Sequence, residues 1–278
     1  MIRIFKIKNA DGAILDLTNR GELFLYEVSG LGYETDPITQ RLGEQYAILS
    51  NHLKQGEIPG TVKFWRPHEY EDFFAFSQFC QVGPVTLIYE NNAGTFYRDG
   101  IVKKVGKEES NNGVLKSDIT FLATSMFYKT IYEYNEGGSA NGKRYTYKYP
   151  YRYAGAAPQT CVIESDSLAD CPVKIEIYGP ATNPTWRHYL NNKLQATGGV
   201  NATIESGRKL IIDTTTIPYQ IIQTDLANNF VGDLYQMSDF GTQRFVRLGR
   251  GKNTISIAHT GAGIVRLAVE ARIEYAAV

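Results

Sequence analysis

Val265-Arg266-Leu267-Ala268-Val269-Glu270-Ala271-Arg272-Ile273-Glu274-Tyr275 puts an apolar or aromatic residue at every odd position and a charged or small residue at every even one. Successive side chains of a strand point to opposite faces, so a period of two describes a strand with one buried and one wetted face. Val173, Ile175 and Ile177 alternate in the same way with Lys174, Glu176 and Tyr178. Between these two stretches lie the extended runs Trp186 to Leu194, Val200 to Glu205, Lys209 to Asp213, Tyr219 to Thr224 and Thr254 to His259. Gly, Asn, Pro and Asp clusters separate them. Seven or more short strands with that punctuation predict an antiparallel β-sandwich in the second half of the chain.

The first half reads as a smaller β domain with one helix. Ile2 to Lys8, Leu23 to Val28, Ile58 to Phe64, Val85 to Glu90, Thr95 to Val105 and Val114 to Ala123 have strand composition, with turn residues such as Asp11-Gly12, Asn91-Asn92-Ala93-Gly94 and Asn111-Asn112-Gly113 between them. Residues 29 to 57 hold three glycines in a mixed polar stretch, and part of it is expected to be a long loop. The helix is expected to begin at Pro67. Glu69, Glu71 and Asp72 sit in the first turn, where the positive helix end favours anions. Tyr70, Phe73, Phe74, Phe76 and Phe79 make a broad apolar stripe, and Val82-Gly83-Pro84 ends the helix.

Glu136-Gly137-Gly138-Ser139-Ala140-Asn141-Gly142 is a break in composition that places a boundary near it. The expected division is a first domain over 1–138, a tyrosine-rich linker over 139–160 and a sandwich over 161–278. In the linker Tyr145, Tyr147, Tyr149, Tyr151 and Tyr153 recur at every second position with Lys143, Arg144, Lys148 and Arg152 among them. At strand spacing the five rings share a face. That face suits either stacking on single-stranded nucleic acid or sugar, or packing against a domain or neighbouring subunit, and the second reading is preferred because tyrosine serves protein interfaces well.

With 278 residues, 29 Lys+Arg balanced by 29 Asp+Glu and 43% hydrophobic residues, the chain is long enough to bury a core without disulfides or metals. Its zero formal charge argues against duplex DNA as the main partner, since that affinity rests on many cations neutralising phosphates. No apolar run approaches the ~20 residues of a membrane span, and the first residues read as a strand rather than a signal peptide. Cys80, Cys161 and Cys171 form an odd set without a C-x-x-C, which suits a reducing cytosol. Cys161 and Cys171 stand close enough in sequence to pair, but free thiols are the preferred reading.

Catalytic signatures are absent from the sequence. It has no H-E-x-x-H and no G-x-S-x-G, and Gly251-Lys252 lacks the rest of a phosphate-binding loop. His52, His68, His188 and His259 are scattered and read as surface or packed residues, so no metal site and no cofactor are expected. Asp225, Asp233 and Asp239 would be the carboxylates of a glycosidase, but their Asn- and Gly-rich surroundings fit solvated turns. Trp186 and Tyr189 are the candidates for stacking on a sugar or meeting a partner, against a reading of Trp186 as a core residue.

In their order along the chain, several segments together resemble the distal tail proteins of long-tailed phages. They are Val28-Ser29-Gly30-Leu31-Gly32, Tyr70-Glu71-Asp72-Phe73-Phe74-Ala75-Phe76, Val85-Thr86-Leu87-Ile88-Tyr89, Thr95-Phe96-Tyr97-Arg98-Asp99-Gly100, Cys171 to Gly179 with Asn183-Pro184, Glu205 to Thr214, and Leu248 to Ile255. The resemblance implies a mainly β chain with a split-barrel-like first domain and a galectin-like or carbohydrate-module-like sandwich. It also implies a non-enzymatic part of the virion tail tip, synthesised in the host cytoplasm. Six copies would form a ring joining the tail tube protein to a tail-associated protein and the receptor-binding protein, with no need for nucleic acid or membrane contact. Strands at the subunit junctions are expected at Ile4, Phe5, Leu25, Tyr26, Val62 and Phe64, with Tyr147 and Tyr149 as further interface residues. The alternative is a sandwich that binds a host cell-wall saccharide through Trp186 and Tyr189.

Overall fold

The computed structural model describes residues 3–18, 23–136, 159–261 and 265–278. The chain divides into two compact units, one of Met1–Lys129 with Tyr275–Val278 and one of Thr130–Glu274. The division thus falls ahead of the glycine-rich break near which the sequence places it, and the last four residues join the first unit. The tyrosine-rich segment with Tyr147 and Tyr149 lies outside the described residues.

The first unit is built on antiparallel strands β1 (Ile4–Lys8), β2 (Ile14–Asp16), β3 (Leu23–Tyr26), β4 (Thr35–Leu42), β5 (Gln45–Leu53), β6 (Glu57–Trp65), helix α1 (Glu69–Gln81), β7 (Val85–Asn91), β8 (Gly94–Val105), β9 (Val114–Ala123) and the start of β10 (Phe127–Asn135). One sheet runs β2-β1-β7-β8-β9-β6-β3. It curls, so that Leu25 N–H near one end reaches Leu17 O near the other at 2.8 Å, but no barrel closes among the described residues. Phe5, Leu25, Val62, Phe64, Leu115, Phe121 and Phe127 fill its concave side. Helix α1 covers that core through Phe73 and Phe76, whose rings meet Phe64 edge-on at 5.7 and 5.6 Å, a preferred aromatic geometry.

Two local expectations change. Pro67 stands two residues ahead of α1 rather than inside it. The stripe is also narrower than predicted: Phe76 and Cys80 are buried, Phe73 and Phe79 half-buried, while Phe74 and Tyr70 face solvent. The stop behaves as read, with Val82 capping onto Phe79 O and Gly83 at a positive φ.

The second unit holds two antiparallel sheets. Its strands are β11 (Gln159–Ser165), β12 (Cys171–Tyr178), β13 (Ala181–Thr182), β14 (Thr185–Leu190), β15 (Lys193–Gly199), β16 (Thr203–Ile204), β17 (Arg208–Asp213), β18 (Gln220–Asp225), β19 (Phe230–Asp233), β20 (Arg247–Leu248), β21 (Gly251–Ala258) and β22 (Arg266–Tyr275). One sheet is ordered β19-β18-β17-β12-β22 and the other β11-β21-β14-β15. Leu267, Val269, Ala271 and Ile273 of the quoted stretch are all buried, as are Ile175, Ile177, Leu210 and Ile212 beside them. The expected strand from Trp186 to Leu194 is instead a hairpin. Asn191 and Asn192 both take positive φ, the conformation that two-residue hairpin turns require. No helix among the described residues is long and apolar enough to cross a membrane.

Candidate interaction surfaces

The expected loop over residues 29 to 57 contains the most exposed apolar structure of the first unit. Among the described residues β4 and β5 pair only with each other, joined by Gly43-Glu44 with Gly43 at φ 67°. A two-residue turn with a positive-φ glycine first is a standard hairpin solution. The pairing shifts between Ile38 and Thr39, which leaves Leu49 as the extra residue of a bulge. Ile38, Leu42, Tyr46, Ile48, Leu49 and Leu53 are each 49–69% exposed. By register, Tyr46 and Ile48 lie on one face and Ile38 and Leu42 on the other. A lone two-stranded ribbon is marginal in water and gains stability by packing against something else. Apolar residues on both faces of this one are suited to such packing.

The expected junction residues are placed differently. Phe5, Leu25, Val62 and Phe64 are 0–4% exposed and belong to the unit's own core. Strands β1 and β6 also have partners on both edges. Ile4 is half-buried, and so is Tyr26, whose ring lies 3.9 Å below Lys63 Nζ. The alternating pattern of these strands marks a buried face but carries nothing about whose core that face enters.

In the second unit Trp186 is fully buried and donates from Nε1 to Arg244 O at 2.8 Å. It is a core residue and offers no stacking face. Tyr189, also on β14, is half-buried. His188 is buried with its Nε2 2.9 Å from Asn253 Oδ1, and burial lowers its pKa. The three aspartates each close their own turn: Asp225 accepts from Asn229 N and Nδ2, Asp233 from Tyr235 N and Asp239 from Gly241 N, all at 2.7–2.8 Å. All three cysteines are free and buried.

The sequence reading missed two features of this unit. The first is a buried ionic cluster on the β12–β17 face, where Glu176 accepts from Lys174 at 2.8 Å, Lys209 at 3.0 Å and Tyr178 at 2.8 Å. Burial by itself would raise the Glu176 carboxyl, but the three donors outweigh it and hold the pKa below the ordinary value. The charged residues of the alternating strands are therefore partly tied up inside the fold. The second is an aromatic cleft of about 670 Å³ lined by Tyr219, Phe230, Tyr235 and Phe245 next to the edge strand β19. Phe245 stacks on Tyr235 and lies tilted against Tyr219, and Arg244 and Arg247 hold the Tyr235 and Tyr219 hydroxyls at 2.8 and 2.9 Å.

Comparison with known proteins places this architecture. Residues 4–124 match the N-terminal domain of distal tail proteins. A chain of the phage P2 baseplate in its activated conformation with calcium has the same fold over 100% of both chains, with a TM-score of 0.66 at 18% identity. The strontium form gives 0.65 at 17% identity, again over 100% of both chains. The Dit protein of phage SPP1, described as a paradigm of the hub adsorption apparatus in phages infecting Gram-positive hosts, gives 0.65 at 10% identity over 98% of this chain and 99% of its own. No curated protein matches the chain. The curled sheet with its covering helix is thus a distal tail protein N-terminal domain. The chain as a whole shares the fold of these baseplate and hub chains.

Proposed function

We propose that this protein is a ring-forming hub, six copies closing around the tail axis to join the tail tube to the tail-tip and receptor-binding proteins. The observation that carries the reading is the β4–β5 ribbon, whose exposed Ile, Leu and Tyr side chains on both faces need a cover. A second copy can provide it, because a head-to-tail contact repeated with a fixed rotation closes into a ring. The burial of Phe5, Leu25, Val62 and Phe64 supports a junction at this ribbon rather than at the side chains of the sheet strands. The role is architectural and needs neither a cofactor nor catalysis. The saccharide alternative loses its anchor, since Trp186 is closed inside the core.

Light scattering after size exclusion, followed by negative-stain imaging of the same peak, tests the proposal. The expected result is a single species of six subunit masses with a central channel. A monomer at every concentration, also in the presence of the tail tube protein, would overturn it.

A further inference from the structure

Arg98, in the middle of β8, is 6% exposed. Its Nε donates to Ser125 O at 3.1 Å and its guanidinium lies 4.6 Å from the centre of the Phe127 ring, while Nη1 is buried with no hydrogen-bond partner. No carboxylate pairs with it among the described residues. Its neighbour Asp99 accepts from Thr86 and Tyr128, while Glu34 is bound by Lys54 at 2.8 Å and Glu57 by Lys103 at 2.7 Å. The chain makes room for this cation, since a Cβ at Gly56 would stand 2.1 Å from Nη2. Buried charges are ordinarily paired, because an unpaired one forfeits its hydration without return. Burial also pushes the Arg98 pKa down, a sign of that cost.

Arg98 lines a cavity of about 370 Å³ with Tyr33, Lys54, Gly56 and Met126, and with Glu34 and Glu57, whose carboxylates are held by Lys54 and Lys103. We propose that this cavity is a carboxylate-binding site in which the Arg98 guanidinium, seated against Gly56, takes the missing counter-ion from outside the subunit. The planar fork of arginine matches a carboxylate with two parallel hydrogen bonds. Lys54 adds a second positive charge at the rim, already shared with Glu34. The carboxylate comes either from a free small acid or from a side chain of another copy, and the same chemistry recognises both.

The test uses the full chain, with sodium acetate replacing sodium chloride at constant ionic strength and the melting temperature as readout. A ligand that binds only the folded state raises the melting temperature in a saturable way. Wild type should show that rise, and Arg98→Gln should weaken the apparent acetate affinity at least tenfold. Met126→Glu, which tethers a carboxylate in the same cavity, should melt above wild type in chloride and lose its acetate response. It decides the question if the Arg98 variant does not fold. An acetate response of equal size in Arg98→Gln, or a Met126→Glu variant that melts below wild type and still responds to acetate, overturns the assignment. Light scattering on the same samples identifies the source: dissociation of an oligomer as acetate rises points to another copy, and an unchanged mass to a free acid. Either result keeps the site.

Discussion

Changing Leu42, Ile48 and Leu49 together to Thr asks whether the β4–β5 ribbon holds subunits together. Threonine keeps the strand preference of the ribbon but removes two carbons at each position. At about 0.8 kcal/mol per buried methylene, and with these side chains 59%, 69% and 62% exposed in the single chain, covering them contributes about 1 kcal/mol each that threonine gives up. The sum, about 3 kcal/mol at each junction, corresponds to roughly a hundredfold weaker association. In the free subunit the three side chains already face water, so its own stability should move by less than about 0.5 kcal/mol. Sedimentation velocity over a dilution series gives the first quantity and urea unfolding of the dissociated subunit the second. If the triple variant assembles at the same concentration as wild type, the ribbon is not the junction. If its unfolding midpoint falls by more than surface changes allow, the ribbon is packed within the subunit, and the reasoning from exposure fails.

Three further outcomes are expected. Glu176→Gln leaves Lys209 buried without its partner and should destabilise the second unit by about 3 kcal/mol, whereas Glu176→Met with Lys209→Met should recover most of that; a double variant as unstable as the single one would contradict the account. Because the folded pKa of Glu176 is depressed, its contribution is fully present above the ordinary glutamate value of about 4.3 and is lost as pH falls through the lower folded value, so wild type and Glu176→Gln should converge in melting temperature in acid. Trp186→Phe removes the donor to Arg244 O and leaves a gap, a loss of about 2–3 kcal/mol, and wild-type Trp186 should be shielded from acrylamide quenching and unmoved by cell-wall saccharides. Burial pushes the Cys80 thiol up to about 12 and the Cys161 thiol up to about 11, so Ellman's reagent at pH 8 should find no reactive thiol in the native chain and three after denaturation.

The sequence by itself determined which stretches have a buried face. The alternation from Val265 to Tyr275, the aromatic helix ended by Val82-Gly83-Pro84 and the strand Val114 to Ala123 stand where their patterns put them, because side-chain period is a local property of strand and helix geometry. Pattern does not say what lies across from a buried face. Phe5, Leu25, Val62 and Phe64 read equally well as core or junction, and only the curl of the sheet shows that they face one another. The β4–β5 ribbon escaped the reading for the opposite reason: apolar residues on both of its faces cancel the alternation that marks a half-buried strand. Arg98 gave no signal beyond its place in a strand, since its significance lies in what Ser125, Phe127 and Gly56, contributed by other segments, do and do not offer it. Long-range contacts create sites such as these, so only the tertiary structure could place them.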